Sequence, residues 1–230
     1  MYVVSQGRRA DRVRVFVALD IPEDVRAAIG ALIEKLRPLY RAARWVRIDG
    51  IHLTLKFIGE VQPEKIEPIK ASLALIHFPD PARAGSEPVG ARHAAPLQVL
   101  SPPKCIELKF RNVGFFPDER RPRILWAGIE AGAELGALAT SVETSLEPLG
   151  IAKEQRAFSP HLTLARFDPP RGSGSGFTLT ALTNAISKAG PLEFGSGIAN
   201  EFHLYQSILK PGGSEYTRLA TFRFAGGESR

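Results

Sequence analysis

The chain has 230 residues, 44% apolar and 23% charged, enough for a substantial core and ordinary for a globular protein. A single Cys105 excludes an internal disulfide and a cysteine-rich zinc site, and no apolar run is long enough to cross a bilayer. The net charge of +6 suits a polyanionic partner such as RNA or a phosphate ester without demanding one.

Residues 1–11 read as a flexible leader without the apolar block of a signal peptide, so a cytoplasmic location is expected. RVRVFVALDI (12–21) is short, apolar and β-branched, and predicts a buried strand. A helix follows over 22–40, with Pro22 in its first turn and Val25, Ala28, Ile29, Leu32, Ile33 and Leu36 at helical spacing. IHLTLKFIG (51–59) is a strand ended by Gly59, and 63–78 is a second helix bent near Pro68. Residues 79–104, rich in Pro, Gly, Ala and Arg, read as a long loop, and 105–116 as a strand paired in a hairpin. The pattern then restarts. Residues 123–130 form a strand, 135–150 a helix stopped by Gly150, and 161–167 a strand. RGSGSG (171–176) is a turn, and 178–190 a helix capped by Thr180 and stopped by Gly190. Residues 201–224 form a hairpin turned at Pro211-Gly212-Gly213.

Both halves thus run strand, helix, HLTL strand, helix, closing strands. His52 and His161 lie 109 positions apart, as do Arg14 and Arg123, which aligns RVFVALDI with RILWAGIE without a gap. A shared offset across neighbouring elements indicates an internal duplication. Two lobes related by a pseudo-twofold axis are expected, with equivalent positions facing each other across a shared cleft. The repeats span about 12–117 and 121–224 within one domain of 1–230, with strand exchange between lobes left open.

Alternation along a strand sets His52, Thr54 and Lys56 on one face and Leu53, Leu55 and Phe57 on the other. His161 and Thr163 share a face in the same way, and Arg166 has the wrong parity for it unless the strand bulges. Two facing imidazoles suit general acid–base chemistry: one neutral ring accepts a proton while the other, protonated, donates one. The threonine hydroxyls can bond phosphate oxygens, and Lys56 or Arg166 can offset developing charge. Two His and two Thr lack the carboxylates or thiolates that complete a zinc or magnesium site, so neither a metal nor a cofactor is expected. His77, His93 and His203 have no such partner and read as structural.

The paired motifs His52-Leu-Thr54-Leu and His161-Leu-Thr163-Leu resemble the signature of the 2H phosphoesterase superfamily. With RVFVALDIP, HLTLKFIGEV, RPRILWAGI and FSPHLTLAR, residues 12–224 are similar to bacterial and archaeal RNA 2′,3′-cyclic phosphodiesterases, also called 2′-5′ RNA ligases. The resemblance implies a bilobal α+β fold, with antiparallel-dominated sheets lining a central cleft and helices outside. It also implies metal-independent hydrolysis of a terminal 2′,3′-cyclic phosphate to a 2′-phosphomonoester, with reversible 2′-5′ joining in some members. It implies His52 and His161 as the acid–base pair, Thr54 and Thr163 as phosphate ligands, and Arg166 as a further phosphate contact. Phe16 and Trp126 are candidates to stack on a base or ribose, with plain core aromatics as the competing reading. The expected partner is an RNA 3′ end or a cyclic nucleotide, and the chain is expected to be a monomer without an obligate protein partner. Another 2H activity, on ADP-ribose 1″,2″-cyclic phosphate or on RNA 3′ ends, stays open, as does a non-catalytic RNA- or nucleotide-binding module.

Overall fold

The computed structural model describes residues 12–76, 105–168, 179–210 and 213–224. The leader 1–11, the loop 79–104, His77, His93, the turn 171–176 and Pro211-Gly212 lie outside the described residues.

The first half supplies β1 (Val13–Leu19), α1 (Glu23–Leu36), β2 (Arg44–Trp45), β3 (Leu53–Val61), α2 (Ile66–Ala74) and β4 (Ile106–Phe116). The second supplies β5 (Ile124–Ala131), α3 (Ala133–Leu146), β6 (His161–Arg166), α4 (Thr180–Ala189), β7 (Glu193–Ala199), β8 (Glu201–Lys210) and β9 (Gly213–Arg223). The strands pair antiparallel in two sheets, of order β3-β1-β8-β9 and β2-β6-β5-β4-β7. Each HLTL strand lies beside the strand that opens its half. The strand on the opener's far side comes from the other half: β8 completes the first sheet and β4 the second.

The helices follow their apolar stripes. In α1 the stripe buries Val25, Ile29, Ile33 and Leu36, each such side chain contributing about 1.5–3 kcal/mol. A 3₁₀ turn over Arg37–Leu39, which contains Pro38, then ends the run. Pro68 is accommodated because it falls in the first turn of α2, where backbone N–H groups have no intrahelical acceptor to lose. Thr180 is the first residue of α4 rather than its cap: Leu179 precedes it and no side chain caps that end.

Two strands escaped the sequence. Two-residue β2 is too short to carry a pattern, and β7, EFGSGIA, is glycine-rich, a composition that normally argues against a strand. The start of α1 explains the glycines, since a Cβ on Gly197 would lie 2.2 Å from Pro22 Cγ. α1 thus packs on β7 of the second sheet, while α3 packs on β3 of the first.

Strand register also corrects the repeat. Leu53 pairs with Leu19 and Thr54 with Ala18, whereas Leu162 pairs with Ala127 and Thr163 with Trp126. With the HLTL strands superimposed, Ala18 therefore corresponds to Trp126, 108 positions on, and the gapless alignment of the opening strands is one residue out. Burial agrees with the new register: Val17, Leu19 and Ile21 point into the core as Leu125, Ala127 and Ile129 do. Phe16 and Trp126 are not equivalent positions.

Candidate active site

The HLTL strands share a second irregularity. Along β3 the pairing steps from Thr54↔Ala18 to Lys56↔Val17, and along β6 from Thr163↔Trp126 to Ala165↔Leu125. Leu55 and Leu164 are thus extra residues in equivalent bulges, and a bulge inverts the alternation beyond it. Leu55 and Lys56 both turn inward, as do Leu164 and Ala165. The next residues, Phe57 and Arg166, return to the face of the histidine and threonine.

That inversion overturns one sequence expectation and rescues another. Lys56 is not on the site face. It is 5% exposed, and its ammonium donates to the Glu143 carboxylate on α3 and to the Ala152 carbonyl, each at 2.6 Å. Phe57, expected on the face of Leu53 and Leu55, is 51% exposed, with the Arg14 guanidinium 4.7 Å from its ring centre. Arg166 gains the parity break that a phosphate contact would require, and among the described residues its guanidinium has no hydrogen-bond or ion-pair partner. Removing the buried ammonium would strand Glu143. Lys56→Met is therefore expected to lower stability by about 2–4 kcal/mol, measured as a reduced denaturant midpoint, with turnover per folded molecule retained. A selective loss of phosphate affinity would instead return Lys56 to the site.

The two imidazoles are held alike. His52 Nδ1 donates to the Gly50 carbonyl and His161 Nδ1 to the Ser159 carbonyl, each at 2.8 Å and each two residues upstream. These carbonyls can only accept, so both neutral rings carry their proton on Nδ1 and leave Nε2 for chemistry. Burial pushes both rings below the ordinary value of 6.5, and the carbonyl hydrogen bonds oppose that shift. The Arg166 charge depresses both rings, so one guanidinium acts on the two histidines. β3 and β6 also approach one another. Neither the Thr54 nor the Thr163 hydroxyl has a side-chain partner among the described residues.

The surroundings of the rings differ. Phe16 is 3% exposed and stacks on His52 with centroids 4.5 Å apart, while also touching Tyr205 and Tyr216. Enclosed in this way it supports the imidazole and has no free face for a base, which corrects its assignment as a substrate contact. Tyr216 meets His52 edge-on at 5.1 Å, and Phe116 meets His161 edge-on at 5.1 Å. Trp126 lies one ring further out, 5.2 Å from Phe116. Arg26 donates to the Ile48, Asp49 and Ile51 carbonyls and so shapes the turn leading into His52. Asp20 accepts from the Tyr205 hydroxyl and the Arg218 guanidinium, and its charge favours protonated His52. Burial, reinforced by Asp20, pushes the Tyr205 phenol up to about 12, so it remains a donor. His203 is buried, with Nδ1 3.1 Å from the Thr221 hydroxyl. Arg26, Phe116, Tyr205 and Tyr216 have no motif spacing to betray them, because turns and neighbouring strands carry them to the histidines.

Among the described residues no cluster of three or more His, Cys, Asp or Glu has the arrangement of a metal site. Among the described residues no helix is long and apolar enough to cross a membrane.

The chain is similar in sequence and fold to known proteins. Residues 19–84 match the family model of LigT-like phosphoesterases. The chain is 33% identical to an RNA 2′,3′-cyclic phosphodiesterase of Thermus thermophilus, over 94% of this chain and 93% of that protein. The crystal structure of TT0787, also of Thermus thermophilus, superposes with a TM-score of 0.64 at 29% identity, covering 94% of this chain and all of the other. That of E. coli LigT complexed with 3′-AMP gives 0.63 at 25%, covering 93% and 99%.

Proposed function

Since the chain belongs to the LigT-like phosphoesterases, we propose that it hydrolyses the terminal 2′,3′-cyclic phosphate of RNA to a 2′-phosphomonoester. The observation that carries the assignment to residues is the pair of equivalent Nδ1 locks, which prepare His52 and His161 in one tautomer under the influence of one arginine.

In this reaction a water molecule attacks phosphorus. One neutral histidine takes the water's proton at Nε2, the P–O3′ bond breaks, and the other histidine, protonated, delivers its Nε2 proton to O3′. The products are a free 3′-hydroxyl and a 2′-monoester, and each proton-transfer role contributes about 10²–10⁴ in rate. The Thr54 and Thr163 hydroxyls bond the non-bridging oxygens, and Arg166 offsets the charge that accumulates on them. Nucleotide binding is in keeping with this role, given the 3′-AMP complex of E. coli LigT.

The test is turnover of a nucleoside 2′,3′-cyclic phosphate followed across pH, with the product isomer identified. The 2′-phosphate should form, and a 3′-phosphate or no product would sink the assignment. kcat/KM should be bell-shaped, because one ring must be charged while the other is neutral. Both rings are depressed in the free protein, so the maximum should lie below pH 6.5. A bound anion restores protonation, which places the kcat profile at higher pH than that of kcat/KM. Activity rising steadily into alkali would contradict the paired-histidine mechanism.

A further inference from the structure

Between β2 and β3 the chain crosses from the second sheet to the first. One end of this crossing is paired with β6, where Arg44 lies opposite Arg166, and the other end is His52. A 3₁₀ turn over Ile48–Gly50 bends it on the way. Arg26, reaching in from α1, places its Nη1 3.0 Å from the Ile48 carbonyl oxygen, 3.3 Å from that of Asp49 and 3.1 Å from that of Ile51. The fourth carbonyl of the run, that of Gly50, accepts from His52 Nδ1 at 2.8 Å. Three carbonyl dipoles that converge on one point repel one another unless a cation sits there, and this guanidinium is only 16% exposed. Its ion-pair partner Glu23 is 87% exposed and does little to hold it. The crossing is gripped on both sides. A Cβ on Gly30, one turn along α1 from Arg26, would lie 2.9 Å from Ile48 Cδ1, and a Cβ on Gly50 would lie 3.0 Å from Tyr216 Cε2 on β9. His161 has no counterpart to this arginine. Among the described residues no side chain but His161 itself donates to the carbonyls of 157–160, and Pro160 fixes a backbone torsion just before that ring.

We propose that Arg26 is a positioning residue for His52: by gathering three carbonyls it turns the fourth onto Nδ1, and so keeps Nε2 as the nitrogen that exchanges protons with the substrate. The inference rests on the cyclic-phosphate activity proposed above. A neutral imidazole carries its proton on either nitrogen, and a fixed acceptor at Nδ1 selects between them. Whether His52 takes the water's proton or returns one to O3′, the transfer passes through Nε2. The Gly50 carbonyl must therefore keep its direction throughout. Arg26 makes no hydrogen bond to the ring and acts on it through the backbone. Without the guanidinium the three carbonyls separate, the turn relaxes, and the Gly50 oxygen swings off the ring.

The experiment reads the tautomer and the rate separately. In the wild type, nitrogen-15 spectra of the neutral imidazoles should show both rings protonated on Nδ1. Arg26→Met should bring His52 to a mixture of tautomers and leave His161 as it was. For a nucleoside 2′,3′-cyclic phosphate the same variant should lose roughly tenfold to a hundredfold in kcat with KM little changed, the scale of a small misplacement at a reacting group. Arg26→Lys returns a cation to the carbonyls without the planar fork, so it should show both losses in smaller measure. It also supplies a folded comparison if methionine there destabilises the chain. In a His52→Ala background, substitution of Arg26 should cost nothing further, because its effect passes through that ring. Wild-type tautomer and rate in the folded variants, or a rate loss that persists without His52, overturns the positioning role and leaves the phosphodiesterase activity standing. A wild type that turns over no cyclic phosphate sinks that activity, while the tautomer, read without substrate, still decides whether Arg26 holds His52.

Discussion

His52→Ala and His161→Ala are each expected to lower kcat for a nucleoside 2′,3′-cyclic phosphate by about 10²–10⁴. Under the proposed mechanism the loss falls on kcat, because the threonine hydroxyls and Arg166 remain in place for the phosphate. The double variant should fall little below the worse single one, because the two rings act in the same transition state. His161 is the cleaner position. His52 also packs between Phe16 and Tyr216, so truncating it removes ring contacts as well as a proton carrier. Thermal melts of both variants separate the two effects. Undiminished turnover by either folded variant would remove that histidine from the chemistry.

Arg166→Met should also cost about 10²-fold in kcat, since the methionine keeps the aliphatic stem and removes the charge proposed to offset the developing phosphorane. It carries a second signature that a merely structural role would not. The guanidinium depresses both imidazoles, so its removal should raise both pKa values and move the bell-shaped profile to higher pH. Arg166→Lys should restore the position of the profile more fully than its height, because a lysine returns the charge without the planar fork. A profile that stays in place with Met at 166 would show that the guanidinium does not act on the histidines.

What could be read from the sequence was what local spacing encodes. The stripe of α1, the period-two HLTL strands and the β8–β9 hairpin follow from residues within one element, and the two histidines follow from a motif that recurs. The bulges at Leu55 and Leu164 were not legible, because a bulge is a relation between two strands and leaves alternation intact on paper. Lys56 shows the cost of this: its neighbours place it with the catalytic face, and one extra residue in the ladder turns it towards Glu143. Arg166 is the converse: strict alternation takes it off that face, and the bulge named as the exception brings it back. β7 was hidden because its glycines answer to Pro22, a residue far away in sequence. The one-residue slip between the opening strands has the same origin, since only cross-strand pairing reveals which residues oppose each other.

The exchange of β4 and β8 between the halves has a consequence for how this chain comes into being. In the finished sheet β1 is a central strand, yet one of its ladders joins Val15 to Gln206. During synthesis β1 and β3 can meet early, but the far edge of β1 stays unpaired until β8 of the second half has been made. An open, strongly apolar edge of that kind is where chains stick to one another. The time of exposure is therefore the interval between the synthesis of β1 and that of β8, and arrival of the β8–β9 hairpin seals the edge.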